Sequence, residues 1–147
     1  MTPSLFPDVN VWLALTHSRH AHHENAARWF GSLTDEKLLF CRFTQIGLLR
    51  LLTNHVVMED DVLGQRPAWR AYRRWYDDPR IEFHREPESP ELETWFEKLS
   101  ESPRPSTKLW ADAYLAAFAK TAGLTLVTFD TGFSRTKLAK VQILPTA

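Results

Sequence analysis

Leu5-Phe6-Pro7-Asp8-Val9-Asn10-Val11-Trp12-Leu13-Ala14-Leu15 is the stretch that decides the fold. A short apolar run ends on an acid, and an apolar segment follows without an intervening loop. Leu5-Phe6 therefore reads as a first strand closing at Asp8, and Val11 to Leu15 as a first helix. A strand passing directly into a helix opens a βα unit, and the same alternation recurs downstream. Leu38 to Cys41 is a second strand, after which Thr44 is placed to cap a helix carrying Ile46, Leu48, Leu49, Leu51 and Leu52. Ile81 to His84 is a short third strand, Leu124 to Phe129 a fourth ending at Asp130, and Val141 to Leu144 a fifth. Between them lie helices over Asn25 to Leu33, Ala68 to Tyr76, Pro90 to Leu99 and Lys108 to Thr121, the last stopped by Gly123. Asn54 to Pro67, with Glu59-Asp60-Asp61, is expected to be a loop or an irregular excursion, and Ser102 to Ser106 is the clearest break. The alternation predicts an α/β fold, a parallel sheet with crossover helices on its faces; strand order 3-2-1-4-5 is the expected arrangement, and in it the first and fourth strands lie side by side at the centre.

At 147 residues the chain fits one domain, 1–147. An apolar fraction of 44% and a charged fraction of 24% are globular values, so disordered and fibrous classes are excluded. The 18 basic residues balance 18 acidic ones, which argues against a general, tight nucleic-acid binder but not against a nuclease whose metal site needs acids. The lone Cys41 excludes an intramolecular disulfide and reads as a small buried thiol. No basic region with a long apolar stretch opens the chain and no run is long enough to span a bilayer, so a cytoplasmic protein without membrane contact is expected.

In an open parallel sheet, ligands collect outside the carboxyl ends of the strands. Asp8 and Asp130 occupy two such ends, adjacent at the centre of the predicted order, and Asp112 lies in the first turns of the helix feeding the fourth strand. Crowded carboxylates raise one another's pKa unless a cation intervenes. Mg²⁺ suits such a group because it takes oxygen ligands and keeps several waters, and it supports phosphodiester hydrolysis by acidifying water and neutralising a phosphoryl oxygen. Mn²⁺ shares this preference. The same aspartates would serve equally as helix caps or turn formers, and the residues alone leave both readings open.

The segment Phe6-Pro7-Asp8-Val9-Asn10-Val11-Trp12-Leu13 resembles the opening of PIN domains. Trp110-Ala111-Asp112-Ala113-Tyr114-Leu115-Ala116-Ala117-Phe118-Ala119, then Gly123 and Leu126-Val127-Thr128-Phe129-Asp130-Thr131-Gly132-Phe133, resembles their closing half. Phe43 to Thr53 is similar to one subgroup of VapC-type toxins from bacterial VapBC toxin–antitoxin pairs. The resemblance implies a PIN-like three-layer sandwich and an Mg²⁺-dependent endoribonuclease, with Asp8 and Asp112 as principal ligands and Asp130 as a third acid. It also implies support from Asn10 and Thr128, a cognate antitoxin, and a homodimer. The family usually adds a glutamate on the helix after the second strand. Here that helix offers Gln45 and Arg50 instead, so Gln45 or Glu86 is left to complete the site, and a catalytically weak PIN-like module binding RNA or protein is the alternative.

Trp69 to Tyr76 interleaves aromatic and guanidinium groups. Arg70, Arg73 and Arg74 are candidate RNA contacts, against an amphipathic helix with its rings in the core. His17, His20, His22 and His23 lack the second cluster of a zinc site and read as solvated or capping groups, with His22 or His23 available to touch substrate. Asn10 stands where a haloacid-dehalogenase-like phosphatase needs its second acid, and the acidic pair of a response-regulator receiver is absent.

Overall fold

The computed structural model describes residues 2–135 and 140–147. In chain order the elements are β1 (Ser4–Pro7), α1 (Val9–Thr16), α2 (His23–Ser32), β2 (Lys37–Phe40), α3 (Arg42–Leu52), α4 (His55–Met58), α5 (Gln65–Arg74), β3 (Ile81–Phe83), α6 (Pro90–Ser100), α7 (Thr107–Ala122), β4 (Thr125–Thr128) and β5 (Lys140–Ile143). The five strands form one sheet in the order β3-β2-β1-β4-β5, the expected 3-2-1-4-5 arrangement. Every neighbouring pair is parallel, with Leu5 beside Leu38 on one side and Thr125 on the other.

Strand periodicity sorts the core into two layers. Leu5, Leu38, Phe40 and Val127 point to one face, where they pack with Trp12, Trp29, Leu48, Leu52 and Tyr72 of the first five helices. Phe6, Leu39 and Leu126 point to the other, against Leu92 of α6 and Leu115, Ala117 and Phe118 of α7. Burial on both faces explains why these strands are continuous apolar runs rather than alternating ones. On the first face Trp12 stacks on Phe40 with ring centroids 3.8 Å apart; on the second Phe6 stacks on Phe118 at 4.8 Å.

Two glycines answer specific demands. Gly47 lets α3 approach α1: a Cβ there would lie 2.6 Å from Val9 Cγ2. Gly123 ends α7 in the left-handed conformation, φ 70°, and its N–H reaches the carbonyls of Ala119 and Lys120.

Local chemistry changes two sequence expectations. Thr44 is not the cap of α3 but its third residue; Cys41 is the N-cap, and the Thr44 hydroxyl accepts from the Cys41 N–H at 2.9 Å. Asn54 to Pro67 is only partly a loop. The Asn54 carboxamide accepts from the N–H groups of Val56 and Val57 and so nucleates α4, a 3₁₀ turn follows over Glu59–Asp61, and α5 starts at Gln65. Pro67 is tolerated there because a first-turn N–H has no intrahelical partner to lose.

Candidate functional site

The site forms where β1 and β4 end side by side. The Asp8 N–H continues the ladder past the end of β1, donating to the Val127 carbonyl at 2.9 Å. Its side chain then caps α1: Oδ1 accepts from the N–H groups of Asn10 at 3.0 Å and Val11 at 3.2 Å. The other oxygen accepts from the Thr128 hydroxyl at 2.5 Å. Asp8 is thus a cap, as one reading of the sequence has it, and also a buried carboxylate whose second oxygen faces the neighbouring strand.

Thr128, fully buried, relays this arrangement across the sheet. Its hydroxyl donates to Asp8 and accepts from the Asp130 N–H at 3.0 Å. Asp130 in turn closes a tight turn by accepting from the Gly132 N–H at 2.8 Å, and its Oδ2 accepts from Lys108 Nζ at 2.7 Å. Lys108 stands one helical turn before Asp112 on α7, which sets both side chains on the same face. Lys108, Asp112 and Asp130, with the apolar Leu99, Ala113 and Phe133, line a cavity of about 280 Å³. The structure therefore brings Asp112 and Asp130 to one pocket, and Thr128 links Asp8 to Asp130 by hydrogen bonds.

The electrostatics follow from this crowding. Burial pushes the Asp8 carboxyl above its ordinary range; hydrogen bonds from Thr128, Val11 and Asn10 oppose the shift, and the charge of Asp112 adds to it. Asp112 is also raised, first by burial; Lys108 lowers it and Asp130 raises it. Asp130 is held low by Lys108 and by the Gly132 N–H. The Lys108 ammonium is raised, chiefly by Asp130 and to a lesser degree by Asp112 and Asp8, so one cation lies in the field of all three acids.

Among the described residues no three His, Cys, Asp or Glu side chains are gathered closely enough to cage a metal by themselves. Mg²⁺ does not need such a cage, since one or two carboxylates plus water suffice. Two acids raised by burial and by a neighbouring carboxylate, with a lysine ammonium already among them, form an environment that favours a cation, so the residues fit the ion.

Other sequence candidates are placed elsewhere. Asn10 gives its backbone N–H to Asp8, and the residue is exposed. The Gln45 carboxamide oxygen accepts from the Arg42 guanidinium at 2.6 Å, and Glu86 accepts from the Tyr114 hydroxyl at 2.6 Å in a groove shared with Phe43 and Trp110. Neither lines the carboxylate pocket. Arg70 and Arg74 border a hollow with Asp60, Asp61 and His17, and Arg73 lies over the Trp69 ring at 5.2 Å. The rings of this segment divide: Tyr72 is core, while Trp69 is 40% exposed. His17 pairs with Asp61, His23 Nδ1 meets the Ala14 carbonyl, and His22 Nδ1 accepts from the Ala147 N–H, all three being local ties rather than metal ligands. Lys108 escaped the sequence reading, although its spacing of four from Asp112 is a helical ion-pair signal.

Residues 5–138 match the family model of the PIN domain. Ribonuclease VapC41 of Mycobacterium tuberculosis is 43% identical over 136 residues, covering 89% of this chain and 92% of the relative. Among solved structures, Mycobacterium tuberculosis VapC20, a sarcin-ricin loop cleaving toxin, superposes with a TM-score of 0.69 at 21% identity, over 95% of this chain and 99% of that one. DNA-bound VapBC from Salmonella typhimurium gives 0.66 at 14% identity, over 97% and 98%. VapBC-1 from nontypeable Haemophilus influenzae gives 0.64 at 17% identity, over 95% and 96%. With a domain model spanning nearly all of it and a ribonuclease relative aligned along most of both lengths, the chain belongs to the PIN-domain family, among the VapC proteins.

Proposed function

We propose that this chain is a Mg²⁺-dependent endoribonuclease, with Mn²⁺ able to replace Mg²⁺, and the toxin of a type II toxin–antitoxin pair acting in the cytoplasm. The observation that carries this reading is the Asp8–Thr128–Asp130–Lys108 relay beside Asp112, at the carboxyl ends of the two central strands. Asp8, Asp112 and Asp130 would hold the ion, with Asp8 fixed by two N–H groups and a hydroxyl. When bound, the ion acidifies a water and neutralises a phosphoryl oxygen. The chain's own residues fix the carboxylates: the Asp8 rotamer is held at both oxygens, and the Asp130 rotamer by the turn at Gly132. Leu99 and Phe133 keep one side of the pocket apolar, which strengthens the charge interactions inside it.

An antitoxin and RNA as substrate complete the reading, supported by the solved VapBC assemblies and by the VapC41 ribonuclease relative; a homodimer is part of the same proposal and is decided by sedimentation. The arginines of α5 contribute to the field that RNA meets rather than to the pocket. The test is incubation of single-stranded RNA with the parent chain, with Asp8→Asn and with Asp112→Asn, in Mg²⁺, Mn²⁺ or EDTA. The parent cleaves only with metal, and each variant loses roughly 100-fold or more. Undiminished cleavage by both variants rejects the site. RNA binding without cleavage by the parent favours the weak-module reading, whose own support is that Gln45, on the helix where the family carries a glutamate, gives its carboxamide oxygen to Arg42.

A further inference from the structure

We propose that Lys108 is the resident counter-cation of the carboxylate pocket, yielding Asp130 when a divalent metal enters and then holding a phosphate of the RNA. The inference rests on the nuclease reading above and assigns it a substrate-binding residue. Four observations carry it. The ammonium lies 2.7 Å from Asp130 Oδ2 and feels the charges of Asp112 and Asp8 as well. Its side chain is 72% exposed against 33% for Asp130, and an ion pair that open is weak enough to exchange. Among the described residues it is the basic side chain that lines this pocket; Lys98 and Lys120 of the same helix pair lie over the Trp95 ring instead. Finally, Lys108 is in the first turn of α7, where the helix dipole disfavours a cation, so helix stability does not account for it.

The chemistry then has a direction. A polyanion approaching three carboxylates is repelled unless positive charge meets it. Once a divalent ion has taken the carboxylates, the ammonium loses its partner and, on a flexible four-carbon stem, swings to the nearest anion entering the pocket. Lysine suits this role as a point charge for phosphate.

The experiment uses the full chain with Lys108→Met and Lys108→Arg. Mn²⁺ binding is read without RNA by electron paramagnetic resonance of the free ion, and KM and kcat for a single-stranded RNA are read at saturating Mn²⁺ over a salt series. For Lys108→Met, Mn²⁺ affinity rises about fivefold, because a competing charge has gone. KM rises about tenfold, and the slope of log KM against log salt falls by about 0.7, as for one lost phosphate contact. Lys108→Arg restores KM and the slope. A thermal midpoint within about 2 °C of the parent separates these effects from misfolding. Unchanged or weaker Mn²⁺ binding by Lys108→Met overturns the counter-cation role, and an unchanged KM and slope overturn the phosphate role. In either case a parent that binds Mn²⁺ and cleaves RNA leaves the nuclease reading standing, whereas a parent that binds no Mn²⁺ removes both.

Discussion

Asp8 has two duties, and substitution separates them. As a cap it satisfies two orphan N–H groups of α1, and as a carboxylate it accepts from Thr128, which bonds in turn to Asp130. Asp8→Ala removes both, at about 1–2 kcal/mol for the lost cap plus roughly 1 kcal/mol for the Thr128 hydroxyl left without its acceptor. Asp8→Asn keeps an oxygen for the cap and turns an amide toward Thr128, so it costs about 1 kcal/mol at most. For a chain of this length each kcal/mol moves the melting temperature by about 2–4 °C. Asp8→Ala should therefore melt about 5–10 °C below the parent and Asp8→Asn within about 4 °C, with cleavage lost equally in both. The pH dependence adds a sign. Burial raises the Asp8 carboxyl, so the folded state binds the proton more tightly than the unfolded state. The parent is therefore penalised as pH rises from the ordinary carboxylate range through the folded pKa, a penalty that Asp8→Asn lacks. In metal-free buffer the stability difference should shift in favour of Asp8→Asn between pH 4 and neutrality. Calorimetry of the three proteins at both pH values decides the matter. Equal melting temperatures for the Ala and Asn variants, or a shift of the opposite sign, would refute the division of labour.

Gly47→Ala should destabilise by about 1–3 kcal/mol through its clash with Val9, and Val9→Ala in the same chain should recover most of that loss in urea melts. Gly123→Ala meets no neighbouring atom, so its cost is that of a left-handed alanine alone, about 1–2 kcal/mol, and Gly123→Asn should cost visibly less in the same assay. The Arg80 guanidinium holds Asp78 below the usual carboxylate range through bonds of 2.7 and 3.0 Å. That stability is present above the unfolded carboxylate pKa and is lost as pH falls through the folded one. Asp78→Asn should thus cost up to about 1 kcal/mol at pH 7, and the difference from the parent should vanish in acid melts.

The parallel α/β sheet was legible because its central strands are buried on both faces, which makes each a short unbroken apolar run followed by a helix. Asp8 and Asp130 stood out for a related reason, since they stand where two of those runs stop, whereas Asp112 lies on α7 and was placed near them only by the path of that helix. What the sequence could not display were partners fixed by packing. Gln45 was a possible ligand until Arg42, three residues away on the same helix, engaged its oxygen. Glu86 was another until the Tyr114 face of α7 drew it into a different groove. The boundary of the loop after α3 turned on one Asn54 carboxamide, a local bond that composition does not reveal.

Lys108 and Asp130 are 22 residues apart, and their bond exists only because α7 lies close against the sheet. Ala113, Ala116, Ala117 and Ala119 are all buried, and side chains this small let the helix approach Phe6 and Leu126. The alanine-rich stretch reads in sequence as simple helix propensity. In the folded chain it fixes the distance from the start of α7 to the end of β4, and hence how closely Asp112, Lys108 and Asp130 share one field. The charge arrangement of the pocket is thus set by small apolar residues that carry no charge.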